Sequence, residues 1–231
     1  LKSLSDEQDD LFDASKTAAL IGGQSLLIAI AVAAAFITKT PNFSFGPGID
    51  FGISSLLDGA IKTAPLGVIA YLLDLVEEQI PALQQVTKAT QRSVLALLGV
   101  SWKPATAMLV SLSLGLAAGF GEEMIFRGIL QYELAQRLSA AISIGVTSIL
   151  FGFLHAVTPL YAFLATLASM YFGYLYHTAG NLAVPITTHS LYDMAALLYA
   201  HWTVSQMSRK EQEALIDWDP SANTENSADK V

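Results

Sequence analysis

The 231-residue chain contains no cysteine. That absence excludes a disulfide framework, a thiol nucleophile and cysteine-ligated zinc, though it does not fix a compartment. Charge is scarce as well, at 14% of residues against the roughly 25% usual in soluble domains. Basic residues are the scarcest charges, 12 against 20 acids, and they form no stripe, which sets nucleic acid aside as a partner. No nucleotide or organic-cofactor motif occurs. Neither internal repeats nor the paired broken segments of transporters are visible. The net charge of −8 comes largely from the ends. Asp6, Glu7, Asp9, Asp10 and Asp13 lie near one, and Asp217, Asp219, Glu225 and Asp229 lie near the other, in a Ser/Asn/Asp-rich stretch that reads as disordered.

What replaces charge is apolar length. Hydrophobic residues make up 53% of the chain, and Thr17 to Thr38 holds no Asp, Glu, Lys or Arg, enough for one crossing of about 20 residues. It is too long for the apolar core of a signal peptide and reads as a retained anchor. The chain opens on Leu1, not Met, so a targeting peptide would belong upstream of it. Pro104 to Gly121 is a second uncharged run. Between Arg137 and Asp193 only three histidines interrupt the apolar sequence, and Pro159 and Thr178-Ala-Gly-Asn181 divide it into three further segments. A soluble helical core would need polar faces at the 3.6-residue period, which these runs lack.

The expected architecture is therefore an all-α polytopic transmembrane bundle of about six segments, its catalytic core in the C-terminal half. Its expected parts are an acidic segment 1–16, an anchor with amphipathic helices over 17–103, a core over 104–208, and an acidic disordered tail over 209–231. Pro41 to Gly48 reads as a loop, Thr63 to Ile80 as a helix ended by Pro81, and 82–100 as a helix along the interface. Phe126 to Leu138 reads as amphipathic. Lys and Arg fall on both sides, so orientation stays open.

Against this background the polar residues of the core stand out, because ionisable groups at membrane depth usually face a protein-lined or wet cavity. Glu123 and Arg127 are four apart and share a helix face, so they suit an ion pair; Glu122 points about 100° away and is left free. A free carboxylate holding a water in a low-dielectric site is a general base. The alternative is that both glutamates end a helix at the interface. His155, inside Leu150-Phe-Gly-Phe-Leu-His-Ala156, has Phe151 one turn before it and reads as mid-segment. His189 and Asp193 share one face of the last strong segment. Each histidine alone is as readily an interhelical hydrogen-bonding group. Three helices each bringing such groups is harder to explain as packing. His177 and His201 fall at segment ends and read as interfacial, and Thr187 and Thr188 as bonded to their own helix.

Glu-Glu-x-x-x-Arg at 122–127, Phe-x-x-x-His at 151–155 and His-x-x-x-Asp at 189–193, in that order on separate helices, resemble the motifs of the CPBP family. That family comprises CAAX proteases and bacteriocin-processing or immunity (Abi-like) proteins. The resemblance covers roughly Pro104 to Trp202, and Asn181-Leu-Ala-Val-Pro-Ile186 is similar to the family's lead-in to its last helix. It implies an intramembrane endopeptidase in which Glu122 and His155 activate a water and His189 with Asp193 stabilises the oxyanion. Glu123, Arg127 and Phe151 would then be structural. Many relatives carry Asn where this chain has Asp193, and an ionised Asp cannot donate to an oxyanion. Either Asp193 is protonated, or it orients His189, which donates alone. Two descriptions of the family leave two expectations open, a metal-free glutamate mechanism, which is favoured, and zinc held by Glu122, His155 and His189. The implied partners are membrane lipid and a peptide or protein substrate, with or without a lipid group. The competing function is a non-enzymatic scaffold, immunity or peptide-binding protein using the same polar site. Thr158-Pro-Leu-Tyr-Ala162 and Thr178-Ala-Gly-Asn181 look like elements of relatives from photosynthetic lineages, which implies a plastid or bacterial inner membrane over the endoplasmic reticulum.

Overall fold

The computed structural model describes residues 14–45 and 49–218. Residues 1–13 of the acidic segment expected at 1–16, part of the Pro41–Gly48 loop and the expected tail from 219 onward lie outside the described residues. Among the described residues the chain is all-α and has no strand. The helices are α1 (Ala14–Thr38), α2 (Ile53–Val76), α3 (Pro81–Leu98), α4 (Pro104–Glu123), α5 (Tyr132–Ala135), α6 (Ala140–Leu154), α7 (Pro159–Ala179), α8 (Ala183–Gln206) and α9 (Arg209–Asp217). A π-helical segment, Met124–Gln131, joins α4 to α5.

Among the described residues three helices are long and apolar enough to cross a membrane: Ala14–Thr38, Ile53–Gln79 and Pro104–Ala135. The outer surface fits that environment. Ile37, Ile61 and Phe153 are 83%, 71% and 75% exposed, an arrangement water would penalise and lipid accepts. The chain is a multi-pass integral membrane protein.

Helix boundaries follow local chemistry. Thr158 caps α7 by accepting from the Tyr161 amide at 3.1 Å, and Pro159 follows at the first helical position. Gly180, at φ +62°, ends α7 in the left-handed conformation that Gly adopts at little cost. Asn181 then uses its whole amide. Its Oδ1 accepts from Ala183 N and Asp50 N, and its Nδ2 donates to Asp50 O and the Ser55 hydroxyl, which ties the entry of α2 to the entry of α8.

Several expectations change. The helix expected from Thr63 begins at Ile53, because Asp58 and Lys62, which interrupt the apolar run, pair with each other at 2.6 Å along the helix. Helix α3 does not lie along an interface with its apolar face in lipid. It buries Leu83, Ala89, Val94, Leu95 and Leu98 and packs on α8, leaving Lys88 and Arg92 outside. The first part of the stretch expected to be disordered forms α9, started by a Ser208–Glu211 capping box. His201 is fully buried and packs on Trp102, so it is not interfacial, whereas His177 is exposed.

Helix α8 is the centre of the bundle, packed against α2, α3, α4 and α7. Its approach to α4 is close because α4 offers Gly115 and Gly119, one turn apart, to the α8 backbone. A Cβ on Gly115 would stand 2.6 Å from the carbonyl oxygen of Ser190, and one on Gly119 would collide with the Ser190 hydroxyl. This contact leads directly to Glu122 and Glu123 at the end of α4. Gly115→Ala is expected to destabilise the bundle by about 1–3 kcal/mol, since backbone cannot give way as a side chain can. Gly145→Ala, which meets nothing within 4 Å, should leave stability unchanged or slightly higher. Denaturant titration of the two variants in detergent, followed by circular dichroism, measures the difference.

Candidate active site

The site assembles where α4 gives way to the π-helical segment, against the end of α6 and the middles of α7 and α8. Glu122, Glu123, Arg127 and His189 are buried there, Glu123 and Arg127 completely. Arg127 Nη1 donates to Glu123 Oε1 at 3.0 Å, the pairing expected from their spacing. A second contact was not legible from spacing. The same Glu123 oxygen accepts from His189 Nδ1 at 2.8 Å. A carboxylate can only accept here, so Nδ1 carries the proton and His189 presents Nε2 to the rest of the site. That nitrogen lies 3.3 Å from Asp193 Oδ2 and 3.9 Å from Glu122 Oε2.

His155 is not mid-helix. It caps the C-terminus of α6, because Thr158 and Pro159 commit the next residues to starting α7. Its Nδ1 lies 2.8 Å from the Phe151 carbonyl, which can only accept, so this ring is also protonated at Nδ1. Its Nε2 is then an acceptor and stands 3.6 Å from Glu122 Oε2. Thus Glu122 Oε2 faces the Nε2 atoms of both histidines beyond direct hydrogen-bond reach, and it is buried without a hydrogen-bond partner. Two acceptors facing each other at that separation suit one small donor between them.

Aromatic rings fix both imidazoles. Phe151 stacks on His155 with centroids 4.1 Å apart, and Phe172 stacks on His189 at 4.6 Å, both at an interplanar angle of 15°. The Arg127 guanidinium lies 5.3 Å from the Phe151 ring and 5.5 Å from that of Phe172, so each ring has an imidazole and the cation as neighbours. Phe126 meets Phe151 edge-on at 4.9 Å. Arg127 Nη2 donates to both the carbonyl and the hydroxyl of Ser169, at 2.6 and 2.7 Å. Thr187 bonds only to its own helix, at Ala183 O, whereas Thr188 also reaches Gly59 O on α2. Sequence reasoning gave Ser169 and Phe172 no role. The available signal was a Ser and a Phe three apart on one face of an apolar helix.

Among the described residues no group of three or more His, Asp or Glu side chains converges as a metal-binding set.

The fold and the site together define a class: a helical membrane protein with a buried carboxylate–histidine cluster at the meeting of four segments. Residues 104–195 match the family model described as Type II CAAX prenyl endopeptidase Rce1-like, and the chain carries a domain of that CPBP family. The match takes in all seven motif residues. No curated protein and no solved structure matches the chain.

Removing Arg127 tests what holds the site. Arg127→Met is expected to cost about 3–5 kcal/mol, because it strands the buried Glu123 carboxylate. The pair Arg127→Met with Glu123→Gln should recover part of that loss. A double-mutant cycle measured by denaturant unfolding provides the comparison.

Proposed function

We propose that the chain is an intramembrane endopeptidase of the CAAX-protease type, hydrolysing a peptide bond with water activated by Glu122 and His155. The observation that carries this reading is Glu122 Oε2, buried without a hydrogen-bond partner and facing the Nε2 atoms of two histidines. A water between them donates one proton to Glu122 and the other to Nε2 of His155, which turns an oxygen lone pair toward a substrate carbonyl. As that oxygen attacks, its proton passes to Glu122. The carbonyl oxygen becomes an oxyanion, stabilised by His189 in its doubly protonated form, with Nδ1–H held by Glu123 and Nε2–H free to swing from Asp193 to the oxyanion. Glu122 then returns the proton to the leaving amine as the tetrahedral carbon collapses and the C–N bond breaks. Asp193 acts here through His189, an assignment supported by the 3.3 Å contact.

The same reading takes α1, α2, α4 with the π segment, α6, α7 and α8 as about six membrane segments, α6 entering the membrane without crossing it. Helices α7 and α8 have the length, 21 and 24 residues, and their polar groups, including Ser169, Thr188, His189 and Ser190, are buried in the bundle. The substrate is a peptide or protein with its scissile bond brought to membrane depth, and the resemblance alone favours a plastid or bacterial inner membrane over the endoplasmic reticulum.

The test is cleavage of a labelled peptide library, prenylated and unprenylated, by detergent-purified protein. Glu122→Gln is expected to lower kcat by roughly 10²–10⁴-fold, the usual contribution of a general base. Activity is expected to survive a chelator; loss that added zinc restores would replace this mechanism with a metal-dependent one. Substrate engagement in cells that Glu122→Gln leaves intact, with no cleavage by either protein, would point to a scaffold instead.

A further inference from the structure

Helix α7 brings none of the acids or histidines of the site, yet it touches the two groups on which His189 depends. Ser169 is fully buried and offers Arg127 Nη2 two acceptors, its carbonyl and its hydroxyl. One turn later the Gly173 carbonyl accepts from Gln131 Nε2 at 2.9 Å. Arg127 and Gln131 are four apart, as are Ser169 and Gly173, so the π segment and α7 form a ladder of two rungs. Phe172, between the rungs in sequence, is the ring stacked on His189.

Only one rung reaches the site. A guanidinium is planar, so fixing Nη2 fixes the direction of Nη1. Nη1 meets Glu123 Oε1, which also receives His189 Nδ1–H. Glu123 Oε2, by contrast, is buried without a hydrogen-bond partner and is a ready competitor for either donor. Thr147 on α6 and Thr166 and Thr178 on α7 itself return their hydroxyls to their own backbone, whereas the Ser169 oxygen serves Arg127.

We propose that Ser169 is a positioning residue for His189, acting through Arg127 and Glu123 to hold the imidazole proton on Nδ1 and leave Nε2 facing Glu122 and Asp193. Without the hydroxyl, Nη2 keeps one acceptor of two and the guanidinium is free to rotate toward Glu123 Oε2. Glu123 then no longer offers a single oxygen to His189. The kinetic part of this inference rests on the peptidase reading; the structural part does not.

The experiment is nitrogen-15 NMR of the full chain in nanodiscs, labelled at histidine, for the wild type, Ser169→Ala, Ser169→Thr and Gln131→Leu. In Ser169→Ala the His189 Nδ1 resonance is expected to shift as its hydrogen bond to Glu123 loosens, with the His155 resonances unmoved. Ser169→Thr, which keeps the hydroxyl, should restore the wild-type pattern, and Gln131→Leu, which cuts the other rung, should leave His189 as it was. In cleavage assays Ser169→Ala should lose roughly tenfold in kcat at unchanged KM, the scale of one hydrogen bond to a charged group. If Ser169→Ala does not fold, Ser169→Cys, with its weaker acceptor, carries the same expectation. A His189 spectrum unchanged by loss of the hydroxyl overturns the proposal, and so does an equal change in Gln131→Leu, which would mean general loosening. A shifted spectrum in a protein that cleaves no peptide supports the positioning role and removes the peptidase reading.

Discussion

A fully buried arginine is the constraint around which this molecule is built. Transfer of an unpaired guanidinium out of water costs several kcal/mol even after relaxation, so its position dictates what must surround it. Arg127 has Glu123 on one nitrogen and two Ser169 oxygens on another, with Phe rings beside it. Those same partners hold the histidines: Glu123 bonds His189, Phe172 stacks on it, and Phe151 stacks on His155. The cation thereby orders the carboxylate and the two imidazoles of the cluster.

The neighbouring carboxylates show how environment divides two identical side chains. Glu123 is bonded to Arg127 and His189 through one oxygen, which removes it from any reaction that needs a free base. Glu122, one residue earlier, points away from the cation and keeps an unpartnered oxygen toward both Nε2 atoms. The helical rotation of about 100° per residue is enough to separate an acid tied to the cation from one turned toward the histidines.

Much of this was legible in the sequence because it is local. Uncharged runs become helices, and the spacing of four joins Glu123 to Arg127 and His189 to Asp193. Tertiary contacts were not legible in the same way. Nothing in spacing says that α4 and α8 meet closely enough for Glu123 to reach His189; the glycines at 115 and 119 carried that signal. Asp58 and Lys62 concealed the start of α2, because a local ion pair lets a helix carry charges that an apolar scan counts against it. His201 looked interfacial by its place in the chain, but it is fully buried with Trp102 packed against it, and cover of that kind is a property of the fold.

The end of α6 has a geometric consequence. Its 15 residues span about 22 Å at 1.5 Å per residue, against a hydrocarbon thickness of about 30 Å, so a helix of this length starting at one surface stops short of the other. The turn that carries His155 then lies inside the slab, where open backbone survives only if its polar groups are satisfied. The amides of His155, Ala156 and Val157 are all bonded within the turn. On the peptidase reading, a polypeptide reaching this histidine would unwind several ångströms below the headgroups, which favours extended or readily frayed segments over stable helices.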